Sequence, residues 1–116
     1  MVTPSPASIV VMSFPFSDLS ATKLRPAVVF LDTGRSDWLL CPITSKPYGD
    51  TNTICLTNAE LKHGRLNTIS YARPIKLFTA NESLMVKRIA VLTDDAFNAI
   101  LAVTIEALRK SIMNKP

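Results

Sequence analysis

The chain has 116 residues, enough for one hydrophobic core and too few for two. It is 47% hydrophobic and 19% charged, an ordinary globular composition, and its 13 Lys+Arg against 9 Asp+Glu give +4, a mild bias toward polyanionic partners. One histidine, His63, excludes two-histidine acid–base chemistry within a chain, and two cysteines, Cys41 and Cys55, exclude a four-cysteine zinc site.

No run of residues is long and apolar enough to span a bilayer, and the first residues lack the basic-then-apolar order of a signal peptide. A cytoplasmic protein with both thiols reduced and buried in apolar strands is the expectation. A single domain over 1–116 is expected, with residues 1–8, which hold Pro4 and Pro6, as a loose lead-in.

Residues 9–14 are rich in β-branched side chains and predict a first strand, and 16–24 is polar and turn-like. Residues 26–32 (PAVVFLD) form a continuous apolar run of strand length, stopped by Thr33-Gly34. Residues 38–44 predict a third strand in which Pro42 marks an edge or a bulge. A Pro/Gly-containing loop follows over 45–50, then a strand at 53–56 and a helical turn over 58–62 ending at Gly64. Residues 67–78 alternate enough for one long strand despite Pro74, and 84–92 is compatible with strand or helix.

The clearest element is C-terminal. Thr93 is an N-cap followed by Asp94 and Asp95, which favour the positive end of a helix dipole. Phe97, Ile100, Leu101, Thr104, Ile105, Leu108 and Ile112 then recur at three- and four-residue spacing, predicting an amphipathic helix over 93–112. Short strands closed by one helix imply a mainly β fold, a small barrel capped by that helix.

Phosphate-loop, dinucleotide, CxxC and HExxH motifs are absent. His63, in a polar Lys-His-Gly turn, reads as a solvated side chain, and the two aspartates as caps rather than metal ligands. Two short pieces stand out. Arg25 precedes Pro26 at a strand start, where proline restricts the backbone that presents the guanidinium. Thr44, Ser45 and Lys46 follow the end of another strand. On one rim they would hold a phosphate between guanidinium, hydroxyls and ammonium. The competing reading is two ordinary strand ends with solvated charges. Phe14, Phe16 and Tyr71 suit base stacking or, more simply, the barrel core or a dimer interface; Trp38 reads as core, and Lys87 and Arg88 as a solvated face.

The segments IVVMSFPFSDLSATKLRPAVVFLD, WLLCPITSKP and SYARPIKLFTANESLMVKRIAVLTDDAF, in that order, resemble the MazF/PemK toxins of bacterial toxin–antitoxin pairs. The resemblance implies an SH3-like barrel of about five to seven strands with a C-terminal helix. It also implies a homodimer that cuts single-stranded RNA at short motifs without a metal or other cofactor and is neutralised by a cognate antitoxin. Arg25 matches the family's arginine before proline and Thr44 its threonine, the pair tied to cleavage, with Ser45 beside them. Lys23, Lys46, Arg73, Lys76, Tyr71 and Asp18 are the candidate RNA contacts, and Asp18 is the nearest candidate carboxylate.

The chain also departs from the family. Ala7-Ser8 stands where a Gly-Asp or Gly-Glu pair is usual, residues 17–24 contain no glycine, Ala90 lies where glycine is common, and 68–78 contains no carboxylate. Two alternatives follow: a barrel that binds RNA or an antitoxin without cutting, and a gyrase-poisoning toxin on the same fold. The second lacks its terminal tryptophan here.

Overall fold

The computed structural model describes residues 2–15, 22–47, 49 and 51–116. Its strands are β1 (Ser8–Pro15), β2 (Thr22–Gly34), β3 (Asp37–Thr44), β4 (Ile54–Leu56), β5 (Leu61–Gly64), β6 (Ser70–Ala72), β7 (Phe78–Asn81) and β8 (Met85–Leu92), followed by the helix α1 (Asp94–Asn114). Seven strands lie along one curled antiparallel path, β4-β6-β3-β2-β1-β8-β5, and the short β7 pairs with the first half of β3. The fold is mainly β, a curled half-barrel with one C-terminal helix, as the patterning predicts.

The continuous apolar run of β2 has a direct cause: both faces of the central strands are buried. Val28, Phe30, Cys41 and Ile43 join Ile9 and Ile100 in a core on the helix side. The alternate residues Ala27, Val29 and Leu40 join Val10, Met12 and Met85 in a second core on the opposite face. Phe97 of α1 meets Phe30 edge-on, with ring centroids 6.0 Å apart. Thr93 caps α1 by accepting the Ala96 N–H.

Pro42 is neither at an edge of the sheet nor a bulge in the β2–β3 ladder. It sits where β3 changes partner, between Leu40 opposite Phe78 of β7 and Ile43 opposite Ala72 of β6. Its carbonyl accepts the Arg73 N–H, so its missing donor points to the same side, into the gap between β7 and β6. The long strand expected over 67–78 is broken in two. Pro74 opens a single 3-10 turn, Pro74–Lys76, between β6 and β7, because its missing N–H and the restriction on Arg73 stop the ladder there.

Three further expectations change. Residues 58–62 hold only a 3-10 turn, Asn58–Glu60, closed by a capping box between Thr57 and Glu60, and then β5. The lead-in is fastened rather than loose: Pro4 is buried, the Ala7 N–H donates to Val29 O, and Ala7 O accepts the Leu92 N–H. Cys41 is buried, but Cys55 on β4 is exposed, since that strand lies at the end of the sheet path with β6 as its partner. Among the described residues both cysteines are free thiols.

Candidate functional site

The β2–β3 ladder runs to Ala27 opposite Pro42 and goes no further. Beyond that pair β2 keeps β1 as its partner, with Arg25 opposite Met12, while β3 keeps β6, with Thr44 opposite Tyr71. The two strands therefore part company, and the gap between them is a cleft. Counting back two residues on β2 and forward two on β3 gives Arg25 and Thr44, on the same face as Ala27 and Leu40.

The larger opening of this cleft holds about 350 Å³ and is lined by Lys23, Arg25, Thr44, Ser45 and Lys46 together with Asn67 and Thr68. A smaller one of about 100 Å³ shares Arg25 and Thr44 and adds Phe14, Pro42 and Arg73. Arg25 is half-buried and Thr44 is buried at 8% exposure, whereas Lys23, Ser45 and Lys46 are exposed. The Thr44 hydroxyl accepts the Lys46 N–H at 3.1 Å, which fixes the turn after β3 and leaves the hydroxyl's own proton as a donor.

The wall facing this turn is held by its own hydrogen bonds. The Leu66 N–H donates to Asn58 Oδ1 at 2.7 Å, and the Ser70 hydroxyl donates to Thr68 O at 3.1 Å. Asn67, Thr68 and Ser70 thus add polar groups to the cleft that the sequence reading did not select. The polar stretch after Gly64 was a usable signal, but only the pairing of β6 with β3 brings it to this place.

Of the candidate residues, Lys23, Arg25, Thr44, Ser45 and Lys46 come together in the larger opening and Arg73 joins through the smaller one. Tyr71, half-buried, and Lys76, exposed on the turn after β6, line neither opening. Asp18 and Phe16 lie outside the described residues. Phe14 packs on Phe78 with centroids 5.0 Å apart, so its ring serves the second core as well as the cleft. Trp38 is half-buried, and its Nε1–H donates to Glu82 at 3.1 Å.

The described residues lining both openings include no carboxylate and no histidine. His63 is exposed on β5, opposite Val91. Among the described residues no group of three or more His, Cys, Asp or Glu is placed to hold a metal ion. The arrangement can bind an anion and stabilise charge that grows on it, through guanidinium, ammonium and hydroxyl donors converging on one concave spot.

No family model matches the sequence, and no curated protein matches it. The fold does match solved structures. An endoribonuclease in complex with its cognate antitoxin from a mycobacterial species superimposes with a TM-score of 0.68 at 12% identity, over 93% of this chain and 95% of that one. The Mycobacterium tuberculosis toxin MazF-mt6 gives 0.68 at 18% identity, over 88% of this chain and 96% of that one. The MazE–MazF structure from Deinococcus radiodurans gives 0.69 at 16% identity, over 90% and 95%. The chain has the fold of the MazF toxins.

Proposed function

We propose that this chain is a toxin endoribonuclease of a toxin–antitoxin pair: a metal-independent enzyme that cuts single-stranded RNA at short sequence motifs, acts as a cytoplasmic homodimer and is neutralised by a cognate antitoxin. The observation that carries the reading is the convergence of Arg25 and Thr44 on one cleft at the point where β2 and β3 separate. The likeness to an endoribonuclease solved with its antitoxin supports it.

In this reading a ribose 2′-OH attacks the adjacent phosphorus and gives its proton to solvent water, the P–O5′ bond breaks with the 5′-oxygen taking a proton from water, and the products are a 2′,3′-cyclic phosphate and a 5′-hydroxyl. Arg25 offsets the charge that grows on the phosphoryl oxygens. Thr44, with Ser45, donates to the phosphate and orients it for in-line attack. Arginine is too weak an acid to be the proton donor, so its role is electrostatic. Lys23, Lys46 and Arg73 bind the flanking backbone. Partner binding is supported by α1, whose outer turns expose Ile105, Leu108 and Ile112 in one apolar stripe that the monomer leaves uncovered.

The absence of a carboxylate or histidine among the described lining residues favours one second reading, a barrel that binds RNA without cutting it. The deciding experiment is incubation of purified protein with a mixed RNA in chelator, with mapping of the ends produced. Cleavage that leaves 2′,3′-cyclic phosphate is the expected result. Binding without new ends establishes the second reading, and neither binding nor cleavage overturns both.

A further inference from the structure

A second basic hollow adjoins the cleft and shares its floor. It is lined by Arg65, Lys87 and Arg88 with Val11, Asn67 and Ile89, and the last three also line the cleft beside Arg25 and Thr44. Its volume is about 480 Å³.

The fold builds this cluster from distant parts of the chain. Arg65 follows Gly64 at the end of β5, and Gly64 lies opposite Ala90 of β8. Gly64 has a φ of +79°, and a Cβ on it would stand 2.1 Å from Ile89 O, so the two backbones meet as closely as glycine allows. Along β8, register shifts against β1 flank the pair Lys87–Arg88, which are matched with Val11 and Val10. Lys87 and Arg88 are exposed neighbours on β8 whose side chains alternate between the faces of the strand, and both residues line the hollow together with Arg65. Among the described residues none of these three cations has an ion pair, and no carboxylate lines the hollow. Three exposed cationic residues around one hollow raise the local positive potential, which favours a polyanion there and is screened by salt.

We infer that Arg65, Lys87 and Arg88 form an extension of the RNA groove, a site for the sugar–phosphate backbone of the substrate several nucleotides from the bond that is cut. The inference rests on the proposed RNA-cleaving function. It adds that the groove turns from the β2–β3 gap across Asn67 and Ile89 onto β8, so substrate must extend beyond the bases at the scissile bond. Because the three groups are surface cations and the hollow has no built pocket for a base, they set affinity and minimum length rather than sequence.

The test is binding of single-stranded RNA with a 2′-deoxy scissile position, as a function of salt. One RNA has about 12 nucleotides and the other about 4, spanning the usual range of single-strand site sizes. Replacing all three residues by glutamine (R65Q, K87Q, R88Q) is expected to lower the slope of log K against log salt by about 2 for the long RNA and to leave the short one unchanged. The charge-keeping variant R65K, R88K should retain the wild-type slope, which separates lost charge from lost fold. An unchanged slope in the triple variant overturns the extension while leaving the cleavage reading intact. Wild-type protein that binds neither RNA overturns both. If the triple variant keeps its RNA slope but loses binding to polyglutamate, the surface serves an acidic protein, and the RNA assignment falls.

Discussion

Arg25 and Thr44 face one another across the β2–β3 gap, each two residues beyond Ala27 and Pro42, the last pair at which those strands are joined. The ladder positions them, and its ending makes room between them for a ligand. A guanidinium-bearing residue on one lip and a hydroxyl-bearing one on the other thus line the same openings, where the proposed function puts the phosphate.

Arg25→Ala should therefore lower the rate of RNA cleavage in chelator by at least about 100-fold, the usual cost of one charge-stabilising group in a preorganised site. Thr44→Val, which keeps the shape but removes both the hydroxyl donor and the acceptor of the Lys46 N–H, should cost about 10-fold to 100-fold. Both variants should melt within a few degrees of wild type, because neither deletion opens the core. Equal cleavage by wild type and Arg25→Ala would remove the cleft from the mechanism.

Gly64 is required by the close approach of β5 to β8. Gly64→Ala places a methyl group against Ile89 O and the Ala90 Cα at a positive φ. The expected loss is about 3 kcal/mol from overpacking and the left-handed backbone together. Equilibrium denaturation reads it directly, and a loss below the error of that measurement would show that the strands can separate without penalty.

The elements with strong local signals were legible in the sequence. The run of β2 needed only its length and apolarity, and α1 its cap and its three- and four-residue spacing. The two pieces around Arg25 and Thr44 were visible because a proline opened one apolar run and clustered hydroxyls followed another, although β2 starts earlier, at Thr22, and holds Arg25 and Pro26 within its ladder to β1. What could not be read was set by partners. Pro42 depends on the change from β7 to β6, and the break at Pro74 divides a stretch whose alternation continues on either side. Cys55 shares an apolar run with Leu56, yet only Leu56 turns inward. Arg65 and the pair Lys87–Arg88 meet only through pairing of β5 with β8, beyond the reach of a local pattern.

Three residues, at two places in the chain, have a backbone conformation that disfavours them. Ala7 has φ 77°, and the β2–β3 hairpin turns through Arg35 at 57° and Ser36 at 65°, a type I′ geometry that prefers Asn-Gly. Ala7→Gly, and separately Arg35→Asn with Ser36→Gly, should each stabilise the fold by about 1 kcal/mol, as removal of left-handed strain outweighs the added chain entropy. A shift of the denaturation midpoint to lower denaturant for either would contradict the argument. Ala7 is the sharper case, since its N–H and carbonyl bond β2 and β8 and leave it no other conformation.

The buried Cys41 makes stability depend on pH at the alkaline end. Burial pushes its thiol up from 9.0 to about 12, with a backbone hydrogen bond from Arg73 offsetting part of the rise. Between those values the unfolded chain has released a proton that the folded chain retains, so the unfolded state binds fewer protons and stability falls as pH rises. From pH 9 to about 12 the slope attributable to this thiol should approach 1.4 kcal/mol per unit, the limit for one proton. Cys41→Ala removes that slope while costing some packing, so the two effects separate by pH: the packing loss is present at pH 7 and the slope difference only above 9. A thiol reagent gives the independent check. Exposed Cys55 should react at once in native protein, and Cys41 only at the rate of unfolding. Immediate reaction of both thiols would mean that β3 opens far more readily than its place between β2 and the β6–β7 side allows.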